Sequence, residues 1–87
     1  MASYRIEWKQ SARKELRRLH KQDIARVLAT VVNLADEPRP AGCRKLAGSD
    51  NHYRVRIGDI RVIYNVTDGR LVIQIIRIGH RGSVYKR

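Results

Sequence analysis

The sequence predicts an α+β fold: one N-terminal strand, a two-helix hairpin, then a three-strand antiparallel meander, in the order β-α-α-β-β-β. Three observations predict it. Residues 53–64 alternate apolar and basic side chains with period two on either side of Gly58-Asp59, the signature of an antiparallel hairpin. Thr67-Asp68-Gly69-Arg70 offers a second two-residue turn with Asp-Gly at its centre, which brings a further strand alongside. Residues 10–35 instead repeat their apolar positions at helical spacing,.

Taken in order, Ser3 to Trp8 sets Tyr4, Ile6 and Trp8 on one side and reads as a short first strand,. From Gln10 to His20 the apolar positions Ala12, Leu16 and Leu19 are helical, with Arg13, Lys14, Arg17 and Arg18 forming a basic exposed face. A second helix from Gln22 to Ala35 carries the broad stripe Ile24, Val27, Leu28, Val31, Val32, Leu34 and Ala35,. Asp36 to Asp50 holds both prolines, Pro38 and Pro40, with Gly42 and Gly48, and reads as a loop crossing from helices to sheet,. Leu71 to Ile78 is the last strand, apolar on both faces,. In the simplest register Leu71, Ile73 and Ile75 face the core, while Ile76 and Ile78 lie beside Arg61.

A Gly58-Asp59 turn sets Ile57 opposite Ile60, Arg56 opposite Arg61, Val55 opposite Val62 and Arg54 opposite Ile63. Tyr53, Val55, Ile57, Ile60, Val62 and Tyr64 then share one face, and Arg54, Arg56 and Arg61 share the other. The helices need an apolar face to cover, so they belong together on the tyrosine face. Arginines directly opposite each other repel. The expected compensation is a bound anion.

Composition narrows the class. The 87 residues make one domain, 1–87, with 43% hydrophobic residues, enough for a small core but not for a deep enclosed pocket. Lys+Arg 19 against Asp+Glu 8 gives a formal charge of +11, which favours phosphate backbones or an acidic protein partner. Cys43 is the sole cysteine and His20, His52 and His80 lack paired ligand spacing, so no disulfide, metal or cofactor is expected. No apolar h-region follows Met1 and no apolar run reaches membrane-spanning length, predicting a soluble, cytoplasmic protein with no membrane partner.

The segments Lys45-Leu46-x-Gly48, Tyr53-Arg54-Val55-Arg56-Ile57, Ile60-Arg61-Val62-Ile63-Tyr64 and Ile78-Gly79-His80-Arg81, leading to Val84-Tyr85, together resemble the RelE branch of the RelE/ParE toxin superfamily. The resemblance covers nearly the whole chain. It implies a microbial-RNase-like fold and the toxin of a type II toxin–antitoxin system. The activity implied is a metal-independent endoribonuclease, an mRNA interferase that cuts mRNA in the ribosomal A site and so inhibits translation. There the 2′-hydroxyl attacks the adjacent phosphate, leaving a 2′,3′-cyclic phosphate and a free 5′-hydroxyl.

Carried over by position, the resemblance implies catalytic roles for Arg61, Arg81 and Tyr85 and substrate binding by Arg54 and Arg56. The best-known members have lysines where this chain has Arg54 and Arg56. Arginine clamps phosphate well but is a poor general base, which makes His80 the candidate for accepting the proton. The partners implied are a cognate RelB-like antitoxin, the ribosome with its rRNA, and mRNA. Operator DNA is reached only through the antitoxin, with which the toxin co-represses its own operon. Two other functions fit: a ParE-like toxin inhibiting DNA gyrase, and a non-catalytic RNA- or ribosome-binding module.

Overall fold

A computed structural model describes residues 3–80. The elements are β1 (Arg5–Trp8), α1 (Gln10–Arg17), α2 (Lys21–Asp36), β2 (Arg44–Lys45), β3 (His52–Ile57), β4 (Ile60–Thr67) and β5 (Val72–His80). They build an α+β domain around one five-stranded sheet of order β1-β5-β4-β3-β2. β2 is the one element the sequence did not announce, because two residues are too few to show a period. β1 runs parallel to β5, with Arg5 opposite Val72 and Trp8 opposite Ile75, so the meander becomes a mixed sheet. Among the described residues no helix is long and apolar enough to cross a membrane.

Both helices lie on one sheet face. Ala12 of α1 and Val27, Val31 and Leu34 of α2 are buried against Tyr53, Val55, Ile60, Val62, Tyr64, Val66, Ile73, Ile75 and Ile78. Positions 27, 31 and 34 follow one turn of a helix after another, as burial against a flat sheet requires. The apolar stripe is broader than the sheet can cover, and Leu28 and Val32 remain exposed at 41% and 66%. Trp8, Leu16, Leu19 and Ile57 pack round the margin of this core.

The β3–β4 hairpin has the register expected from its alternation, from Tyr53 opposite Tyr64 to Ile57 opposite Ile60. Gly58 turns the chain at φ +60, a conformation that side chains other than glycine's resist. Its bare Cα also admits the guanidinium of Arg26, whose Nη2 would stand 3.1 Å from an added Cβ. The second turn differs from expectation. It spans Asp68 to Leu71, and the left-handed residue is Leu71 at φ 55, not Gly69. The backbone N–H of Arg5 donates to the Leu71 carbonyl at 2.8 Å, so the start of β1 holds this turn in place.

The largest departure lies in β5. Pairing with β4 is regular from Thr67–Val72 to Tyr64–Ile75, then slips so that Ile63 faces Arg77 and Val62 faces Ile78, leaving Ile76 unpaired. A bulge of this kind reverses the facing of every later residue in the strand. Ile78 is therefore in the core at 2% exposure instead of beside Arg61. Arg77 and Gly79 move to the arginine face in its place, and Leu71 leaves the strand altogether.

The loop before β2 is fastened from the core outward. Tyr53 and Tyr64 stack with ring centroids 5.9 Å apart. Tyr64 donates its hydroxyl to the Pro38 carbonyl at 2.7 Å, while Arg39 Nε donates to the Tyr53 hydroxyl at 2.9 Å. Arg39 then reaches Asp68 Oδ2 at 2.8 Å, and Tyr4 donates to Asp68 Oδ1 at 2.6 Å. Hydrogen bonding to Arg39, then to Tyr4, holds the Asp68 carboxyl below the usual carboxylate range, and the same bond to Asp68 raises the Tyr4 phenol. Burial, with Cys43 beside it, raises the Tyr64 phenol. These contacts deliver residues 44 and 45 to the edge of β3, where the Leu46 N–H donates to the His52 carbonyl at 2.8 Å.

Candidate functional site

The site is built on the sheet face opposite the helices. On β3, Arg54 and Arg56 alternate with the buried Val55, so both point away from the core. On β4, Arg61 and Ile63 alternate with Val62 in the same sense. The register makes Arg56 and Arg61 a directly opposed pair, with Arg54 opposite Ile63 on the next rung. The sequence-predicted arginines Arg54, Arg56 and Arg61 are thus brought together, as the hairpin pattern requires.

Their exposures differ. Arg56 is exposed and Arg54 half-buried, whereas Arg61 is buried at 8%. Standing on the uncovered face does not leave Arg61 exposed. It is enclosed because β4 is the central strand, with β3 on one side and β5 on the other. Among the described residues its buried Nε has no hydrogen-bond partner. A buried donor left unmatched costs about 1–3 kcal/mol, and an anion accepting from it would offset that cost. Across from Arg56, the neighbour of Arg61 on β5 is Gly79. Having no side chain, Gly79 leaves Arg61 flanked by bare backbone on that side.

His80 falls elsewhere. It pairs with Ile60 and follows Ile78 by two residues beyond the bulge, which returns it to the helix side of the sheet. At the β5 edge that β1 leaves open it lines a cleft of about 290 Å³ with Glu15, Arg18, Leu19, Arg77, Ile78 and Gly79. The unpaired Ile76 thus turns His80, the sequence's candidate for accepting the proton, away from the arginine face. Arg81 and Tyr85 lie outside the described residues.

Two residues that the sequence reading left out stand at the margins of the arginine face. Arg77 is opposite Ile63, and its Nε stands 3.6 Å from Glu15 Oε2. Glu15 also accepts the backbone N–H of Ile78 at 2.8 Å through Oε1. β1 ends opposite Ile75, so this carboxylate caps the stretch of β5 edge that β1 does not reach. Arg44 stands opposite Arg54 at the other margin. Gln74 and Arg77, three apart in an apolar run, were the available sign of the bulge that places Arg77. Nothing comparable marked Arg44. Among the described residues no three of His, Cys, Asp and Glu cluster as a metal-holding group.

Comparison with known proteins gives a consistent result. The family described as the ParE toxin of the type II toxin–antitoxin system parDE matches residues 6–85. Toxin RelG of Mycobacterium tuberculosis (strain ATCC 25618 / H37Rv) is 32% identical over 92 residues, covering 97% of this chain and 98% of RelG. RelE in the archaeal RelE–RelB complex of Pyrococcus horikoshii OT3 superposes with a TM-score of 0.83 at 35% identity, over 93% of this chain and 98% of that one. The isolated E. coli RelE toxin gives a TM-score of 0.81 at 26% identity, over 95% of this chain and 92% of its own.

Proposed function

This chain belongs to the RelE/ParE superfamily of type II toxins, and from that premise we propose that it is a ribosome-dependent mRNA endonuclease. The observation that carries the proposal is Arg56 directly opposite the buried Arg61, on a sheet face that neither helix covers. Two arginines directly opposed on neighbouring strands repel, and a compact, highly charged ligand relieves that repulsion. A phosphodiester passing to a pentacoordinate phosphorane supplies more negative charge at the transition state than before it, which is the condition for catalysis.

In the proposed reaction the 2′-oxygen bonds to phosphorus as the P–O5′ bond breaks. One fragment keeps a 2′,3′-cyclic phosphate and the other gains a 5′-hydroxyl. Arg61 and Arg56 neutralise the phosphorane oxygens, and Arg54 holds the substrate backbone on the adjoining rung. The same positive field loosens the 2′-hydroxyl proton, which passes to water, and the departing 5′-oxygen takes up a proton from water to become the hydroxyl. Arg81 is assigned to the departing 5′-oxygen and Tyr85 to stacking on the attacked nucleotide, by resemblance of the segment that follows β5. His80 is not given the role of base, because its strand position faces the helices.

The Pyrococcus relative is described in complex with RelB. We extend that to a RelB-like antitoxin here, one that neutralises the toxin and carries it to operator DNA, with the ribosome and its mRNA as targets in the cytoplasm. Primer extension on messages from expressing cells tests the reading: cuts at positions that depend on translation are expected. The ParE description of the matching family favours a second reading, inhibition of DNA gyrase. Uncut messages together with accumulated gyrase–DNA breaks would establish that one instead.

A further inference from the structure

The sheet opposes arginines not once but twice. β2 is only Arg44–Lys45, yet its register is defined: Arg44 faces Arg54 and Lys45 faces Tyr53. Tyr53 belongs to the core on the helix side. Strand alternation therefore puts Lys45 on that side and Arg44 on the side of Arg54, Arg56 and Arg61. Arg44–Arg54 and Arg56–Arg61 are consequently successive like-charged rungs on one face. Each is unfavourable by itself. Arg44 is exposed and forms no ion pair with a described residue, so its charge is available to a ligand.

Arg44, Arg54, Arg56 and Arg61 on these two rungs carry more positive charge than a single small anion neutralises. Arg44 and Arg61 are separated by β3 and by two residues along it, so with strands about 4.8 Å apart and about 3.4 Å of rise per residue their backbones stand roughly 12 Å from each other. A polyanion whose phosphates recur along its length does fit. Resting on the ribonuclease reading above, we infer that Arg44 is a further substrate contact, gripping a backbone phosphate of a nucleotide flanking the scissile step where the RNA leaves the sheet over β2. The contact is to phosphate alone, so it adds affinity and register without base preference.

The test is equilibrium binding of the full chain to a short single-stranded 2′-O-methyl RNA, which cannot be cut, across a range of salt concentrations. Arg44→Gln is expected to weaken binding several-fold and to reduce the slope of log K against log salt by about 0.7, the value for one single-strand phosphate. Arg44→Lys should recover the slope. Lys45→Gln removes the same charge from the same strand but on the other face, and should leave the slope at the parent value. An unchanged slope in Arg44→Gln, or an equal loss in Lys45→Gln, overturns the inference. So does an Arg44→Gln defect confined to binding an acidic peptide. Translation-dependent message cutting by the parent chain is scored separately. Cutting with a silent Arg44→Gln removes this contact and leaves the nuclease; an Arg44-dependent slope without cutting does the reverse.

Discussion

Arg61 is the buried partner and Arg56 the exposed partner of one directly opposed pair across β3 and β4. The unequal burial decides how the pair responds to substitution. Arg56 can relax its charge into water more fully than Arg61 can.

Arg61→Met keeps a long unbranched side chain and removes the charge. The fold should be as stable as the parent or more so, by up to about 1 kcal/mol from lost repulsion, when unfolded in urea. Message cleavage should fall by about 10²–10³-fold, as on loss of one preorganised electrostatic donor. Undiminished cleavage by the folded variant would remove Arg61 from the chemistry.

His80→Gln should leave single-turnover cleavage within about threefold of the parent, far from the 10²–10⁴-fold loss expected of a general base. A hundredfold loss would mean that the end of β5 turns over in the ribosome-bound state and carries His80 across the sheet.

Glu15→Ala should destabilise the chain by about 1.5 kcal/mol, the lower range for a hydrogen bond to a charged group, because the Ile78 N–H loses its acceptor. Glu15→Gln retains an oxygen at that place and should recover more than half of the loss. Chemical denaturation of the two variants side by side makes the comparison. Equal stability of Glu15→Ala and parent would show that the β5 edge does not depend on α1.

The Asp68 cluster predicts an acid response. Its carboxyl is held below the ordinary value by Arg39 and Tyr4, so the folded state binds its proton less readily than the unfolded state. The stability this contributes is complete above the unfolded value, about 3.9, and is lost as pH falls through the lower folded value. Asp68→Asn should therefore have a lower Tm than the parent at pH 7 and the same Tm once pH is well under 3.9. Parallel Tm curves throughout the acid range would deny the carboxylate any part in holding Arg39.

Much of this architecture was legible because the hairpin obeys two rules at once. Alternation assigns the faces of Arg54, Arg56 and Arg61, and Gly58-Asp59 fixes their register, so the opposed pair follows from the sequence alone. The helices were legible by their period, although Leu28 and Val32 show that an apolar stripe can exceed what one sheet face covers. β5 misled because its pattern satisfies two registers. In Gln74-Ile75-Ile76-Arg77-Ile78 either isoleucine of the central pair can enter the core, and only pairing with β4 chooses. That choice alone moved Ile78 inward, brought Arg77 and Gly79 to the arginines and took His80 away from them. Arg44 was hidden for another reason: its strand exists through the clasp of Arg39 and Pro38 on two tyrosines, a tertiary cause with no local pattern.

The parallel pairing of β1 with β5 has a consequence for a chain made from its N-terminus. The first strand to be synthesised has no neighbour until the last of the described strands is made, so β1 joins the sheet only after the hairpin that carries Arg61 can already have paired.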